Sequence, residues 1–197
     1  LQKNMTGVII AQLIRGDKLT YDTMINTFYP DLEFADTSTI RDLLNHTSGY
    51  GMPETATDSV LKTEKVQLEN VFDSLYYHGS HEFYYSNGNY SLLAGIISQI
   101  ENKNSKESLK TRIFKPLKLE HTFLWDDLPK EATIPNEYLF YNDEDYNTEN
   151  LQYSEELMST LLGAGNVYST VSDLSRFEMS LNNDTLLTED EFNELFN

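Results

Sequence analysis

Apolar residues recur at helical spacing through most of this chain. Met5, Val8, Ile9 and Leu13 share one face of a first helix, and Gly16 with Asp17 breaks the pattern. Leu68, Val71, Phe72 and Leu75 repeat at i, i+3, i+4 and i+7, as do Leu93, Ile96, Ile97 and Ile100. Three further helices announce their own starts. Thr39 with Asp42 forms a capping box ahead of Ile40, Leu43 and Leu44. Thr170 with Asp173 caps a run carrying Leu174, Phe177 and Leu181, and Thr188 with Glu191 caps one carrying Phe192, Leu195 and Phe196. Residues 105–114 read as a short helix stopped by Pro116, whose ring cannot continue the hydrogen-bond ladder. Alternating strand patterns are scarce; 123–125 and 137–141 are the short candidates. The chain is predicted to be mostly helical.

Composition narrows this picture. A chain of 197 residues, 39% hydrophobic and 12% aromatic, can bury a real core. No apolar run approaches the roughly 18 residues that span a membrane, and residues 1–14 lack the features of a secretory signal. For an internal segment that absence carries no information about export. With no cysteine, disulfides, thiol nucleophiles and thiolate-bound metals are excluded. The net charge of −18 opposes nucleic acid and anionic lipid and favours a cationic substrate or partner, although solubility alone also accounts for it. Acidic residues crowd 126–156 among Tyr and Asn, which reads as a long solvated excursion. The four histidines, His46, His78, His81 and His121, lack metal-ligand spacing, so neither a metal nor a cofactor is expected.

Candidate chemistry sits in two places. Lys3 opens the first helix, where it is either an exposed helix-start lysine or a group acting on a residue three positions earlier. A serine hydroxyl is a poor nucleophile until a base takes its proton. A lysine serves as that base only when burial or a neighbouring cation lowers its pKa. Tyr85-Ser86-Asn87 precedes the helix at 91–100 and is either a turn built on Asn87-Gly88 or a proton-relay phenol beside an amide.

In context these two pieces resemble the serine β-lactamase-like family of class C β-lactamases and penicillin-binding proteins. Lys3 would close its Ser-x-x-Lys motif, with Leu1 and Gln2 between and the serine immediately before Leu1. Tyr85 and Asn87 would be the ends of its Tyr-x-Asn element. Leu43-Leu44-Asn45-His46-Thr47-Ser48-Gly49 is similar to the family's LLxHTSG segment. Ile113-Phe114-Lys115-Pro116-Leu117 is similar to its IFxPLG, and Gly163-Ala164-Gly165-Asn166-Val167-Tyr168-Ser169-Thr170 to its GAGGLxST. His78-Gly79-Ser80 superficially resembles the family's Lys/His-x-Gly element but precedes Tyr85; the true element is expected after Asn197.

The resemblance implies a β-lactamase/transpeptidase-like α/β fold, of which 1–197 would be a mostly helical segment of one domain, truncated at both ends and inactive alone. It implies Lys3, Tyr85 and Asn87 as catalytic residues and Gly165 and Asn166 as substrate contacts, the glycine serving equally as a φ > 0 hinge. His46 would be structural, a polar group satisfied at a helix end, and Ser48 and Ser169 turn and cap residues. The implied activity is acyl-enzyme hydrolysis of D-alanyl esters or D-Ala-D-Ala peptides of the bacterial cell envelope, with β-lactamase, general esterase and a non-catalytic binding homologue as alternatives. The segments look closest to Gram-positive teichoic-acid D-alanyl esterases, which implies an extracellular or cell-surface enzyme acting on an envelope polymer, a stem peptide or a β-lactam. Oligomeric state stays open.

Overall fold

The structure is a computed structural model that describes residues 1–53, 55–134, 154–181 and 183–196. Helix α1 (Gln2–Arg15) is followed by a 3₁₀ turn (Ile25–Thr27) and the short α2 (Ile40–Leu44). Then come β1 (Tyr50–Gly51), α3 (Glu64–Ser74), β2 (Tyr76–Tyr77) and α4 (Asn87–Glu101). Helix α5 (Ser105–Leu109) runs through a π turn (Lys110–Phe114) into α6 (Lys115–Leu117). The remainder is β3 (Phe123–Leu124), a 3₁₀ turn (Trp125–Asp127), α7 (Glu155–Thr160), β4 (Val167–Tyr168), α8 (Val171–Leu181) and α9 (Glu189–Phe196). β1 pairs antiparallel with β2, and β3 with β4.

Helix α4 is the hub, packed against by α1, α2, α3 and α5. Its Leu92, Leu93, Ile96 and Ile97 are buried with Met5, Val8, Ile9 and Ile10 of α1 in one core that also takes in Ile40, Leu43, Ile113 and Phe177. Fully burying such side chains contributes about 1.5–3 kcal/mol each, which fixes α1 against α4 and so fixes what their N-terminal ends carry.

The helix starts read from the sequence are present. Thr39 and Asp42 form the reciprocal capping box of α2, Thr170 Oγ1 accepts from the Asp173 N–H at the head of α8, and Thr188 Oγ1 accepts from the Glu191 N–H at the head of α9.

The helical run read on 105–114 continues through Pro116 to Leu117, and the chain leaves it at Lys118 in the left-handed conformation, so the proline marks its end to within a residue. Two expectations are corrected. The face read on 68–75 is thinner than its pattern suggests. α3 buries Val71 and Gln67, whereas Phe72 is 38% exposed. The strand expected at 123–125 is the two-residue β3 with Trp125 already in a 3₁₀ turn, and the candidate at 137–141 lies outside the described residues. Asp126 and Asp127 of the acidic excursion are tied down by Lys106, and Asp127 also by Lys110.

Candidate active site

Three chain segments converge at the N-terminal end of α1. The Lys3 amine donates to Asn87 Oδ1 at 2.6 Å and to the Ala164 carbonyl at 2.8 Å. The Tyr85 hydroxyl donates to the same Asn87 Oδ1 at 3.2 Å, so one amide oxygen joins amine and phenol. The amine also lies 4.9 Å from the centre of the Tyr85 ring and 5.7 Å from that of Tyr90, within cation–π range. Lys3 is half-buried, Asn87 is buried, and Tyr85 is exposed at the rim.

Each position has a local cause. Lys3 sits in the first turn of α1, and Asn87 is the first residue of α4, so core packing of the two helices brings amine and amide together. The third partner is a backbone carbonyl, held by three contacts from one side of α1. Thr6 Oγ1 donates to the Gly163 carbonyl at 2.8 Å, Lys3 reaches Ala164, and Gln2 Oε1 accepts from the Asn166 N–H at 2.6 Å. Gly163 makes this approach possible. Its φ is +66°, and a Cβ there would meet Tyr90 O and Ala94 Cβ of α4, each at 2.6 Å. The positive φ therefore belongs to Gly163 and not to Gly165.

Behind the site, His46 ends α2 with φ +58° and is 8% exposed. Its Nδ1 accepts the Ser86 N–H at 3.2 Å and lies 3.3 Å from the Asn89 amide nitrogen. Its ring packs against those of Tyr85 and Tyr90 at 4.8 and 5.2 Å. Burial, then the charge of Lys3, lowers its pKa from 6.5 to about 4. His46 is thus a neutral acceptor that pins the turn carrying Tyr85 and Asn87. Burial, then Tyr85, pushes the Tyr90 phenol up to about 12, and that hydroxyl donates to the Leu44 carbonyl.

The sequence pattern of the β-lactamase family matches residues 1–196. The chain belongs to the β-lactamase family. It is 26% identical over 178 residues to the teichoic acid D-alanine hydrolase of Staphylococcus aureus, covering 89% of this chain and 43% of that protein. In fold it is similar to FmtA from Staphylococcus aureus, with a TM-score of 0.79 and 22% identity over 98% of this chain and 52% of that one. It is also similar to the D-amino acid amidase of Ochrobactrum anthropi SV3, with a TM-score of 0.77 and 23% identity over 97% and 58%. The chain therefore spans about half the length of these relatives.

Of the site residues read from the sequence of this β-lactamase-family chain, Lys3, Tyr85 and Asn87 come together. Gly165 is exposed in the neighbouring segment, whereas Asn166 is 1% exposed and its Oδ1 has no hydrogen-bond partner among the described residues. Ser48 is a buried turn residue whose hydroxyl donates to Asn89 Oδ1 and accepts from the Tyr50 N–H. Ser169 is not the cap of α8; Thr170 is, and the Ser169 hydroxyl pairs with Thr122. Gln2, Thr6 and the Ala164 carbonyl were not singled out by sequence. Gln2 and Thr6 read as interior positions of an apolar helix, and a carbonyl carries no sequence signal. Among the described residues no cluster of potential metal ligands occurs, and no helix is long and apolar enough to cross a membrane.

Proposed function

We propose that this chain carries part of the active site of a serine acyl hydrolase that works through an acyl-enzyme on D-alanyl esters or D-Ala-D-Ala peptides of the bacterial cell envelope. The observation that carries the reading is the amide of Asn87, whose one oxygen takes hydrogen bonds from both the Lys3 amine and the Tyr85 hydroxyl. In this scheme the nucleophile is a serine immediately before Leu1. One helical turn separates it from Lys3, so the amine can reach its oxygen. Lys3 takes the serine proton as the oxygen attacks the acyl carbon, and the proton passes to the leaving group through the Tyr85 phenol at the exposed rim. Water then hydrolyses the acyl-enzyme by the reverse path. Asn87 and the Ala164 carbonyl orient the amine throughout, and the positive end of α4, which starts at Asn87, favours negative charge developing beside it.

The S. aureus relative named as a teichoic acid D-alanine hydrolase supports a D-alanyl substrate at the cell surface. The net charge of −18 suits a substrate that carries an ammonium group. Trapping tests the chemistry: the full-length protein should be labelled by a fluorescent penicillin or a fluorophosphonate, and Lys3→Ala should slow labelling by about 10²–10⁴-fold. A residue other than serine before Leu1 would refute the scheme. D-alanine release from teichoic acid, compared with release from a peptidoglycan stem peptide, distinguishes ester from peptide.

A further inference from the structure

Apart from the Lys3 site, the molecule has a cleft of about 760 Å³, within the size range of small-molecule sites. Six aromatic rings line it: Tyr29, Phe34, Tyr50, Phe72, Tyr76 and Tyr77. Asp31 and Glu33 also line it, and among the described residues no lysine or arginine does.

The four phenol hydroxyls of the lining are already engaged. Tyr29 donates to the Leu92 carbonyl and Tyr50 to the Glu33 carbonyl, Tyr76 pairs with Tyr84, and Tyr77 pairs with Thr37. The ring placement is built into the backbone. At Gly51 a Cβ would meet the Tyr76 ring at 2.3 Å, so only glycine lets that ring lie across β1. Phe34 sits at the lip with φ +62°, a strained conformation for a bulky residue, and its exposed ring stacks on Tyr77 at 4.4 Å. Phe34, Phe72 and Tyr76 together keep 38–45% of their surface in water, an unusual outlay of aromatic area. Burial first, and then Tyr77, Asp36 and Glu33, hold the Tyr50 phenol well above its ordinary pKa.

Aromatic faces with carboxylates and without a competing cation are what recognises an organic ammonium. A neutral ligand would gain at most hydrogen bonds from the carboxylates, without the charge attraction, and an anion would be repelled. We propose that this cleft is a binding site for an organic ammonium group, distinct from the acyl-transfer site. Tyr76 of the cleft shares a hydroxyl hydrogen bond with Tyr84, the residue before Tyr85. The proposal does not depend on the hydrolase reading.

The test is calorimetric or NMR titration of the full-length protein with choline, with its uncharged isostere 3,3-dimethylbutan-1-ol, and with D-alanine methyl ester as a primary ammonium. Choline or the D-alanine ester should bind saturably, and whichever binds more tightly identifies the ammonium class. The neutral isostere should bind at least about tenfold more weakly. Phe72→Ala and, separately, Glu33→Gln should each weaken the ammonium by several-fold while labelling of the acyl-transfer site stays intact. Equal affinity for choline and its isostere, no saturation by either ammonium, or indifference to both substitutions would overturn the proposal. Glu33 is exposed, so its substitution keeps the test informative if Phe72→Ala fails to fold.

Discussion

Protonating His46 should destabilise this protein. The neutral ring accepts the buried Ser86 N–H at Nδ1, which places its own proton on Nε2. An imidazolium would lose that acceptor and put a second positive charge near Lys3. The folded pKa is about 4 against an ordinary 6.5. As pH falls the unfolded chain therefore takes up the proton first. The contribution is complete above pH 6.5, and it declines by at most about 1.4 kcal/mol per pH unit until pH reaches about 4. The full difference comes to about 3 kcal/mol, a large fraction of the 5–15 kcal/mol by which domains are usually stable (about one fifth or more). The assay is urea unfolding from pH 7.5 down to about pH 4.5, on the native protein and on His46→Gln. A glutamine amide oxygen can still accept from Ser86 but does not titrate. The native protein should lose about 2–3 kcal/mol more than the variant over this range, while the carboxylates common to both cancel. Parallel pH profiles for the two proteins would refute the argument.

Three other outcomes follow from contacts already described. Gly163→Ala should lower stability by about 2–4 kcal/mol in thermal unfolding, because the added methyl meets the Tyr90 carbonyl and Ala94 at a strained φ. Asp173 is buried and accepts from the His121 N–H, the Thr122 hydroxyl and Arg176; Asp173→Ala should cost about 1–3 kcal/mol in urea, chiefly by leaving the His121 N–H without its acceptor. In the full-length protein Lys3→Met should slow covalent labelling by about 10²–10⁴-fold, and Asn87→Ala by less, since the Ala164 carbonyl still holds the amine.

The sequence disclosed what depends on near neighbours. Thr39, Thr170 and Thr188 announce their helices because a cap is made with a residue three positions away. The apolar faces of α1 and α4 are legible because a whole core lies along them. Pro116 marks the end of its helical run to within a residue, because its ring disfavours further ladder bonds whatever packs around it. The four strands were mostly invisible: two residues give no alternation, and their pairing is set by segments far apart in the chain, such as Phe123 with Tyr168.

The Lys3 site divides along the same line. Lys3, Tyr85 and Asn87 could be named only through motif resemblance, since no local pattern says that residues so distant in sequence share a hydrogen-bond acceptor. Of what holds them, His46 is nameable as a structural group, but the backbone groups involved are not. The clamp on Lys3 runs through the backbone at 163–166, and His46 acts through an N–H of Ser86. Backbone groups are the same at every position, so side-chain identity does not reveal them. The aromatic cleft fails for the opposite reason. Phe72 and its partners look like ordinary core residues in sequence, because hydrophobicity predicts burial and says nothing about which rings stay open to water. Phe72 completes a helical apolar stripe, yet it is 38% exposed and lines the cleft with Tyr76 and Glu33. Recognition surfaces of this kind consist of core-type residues that the fold leaves partly uncovered, so they become visible only once the packing around them is known.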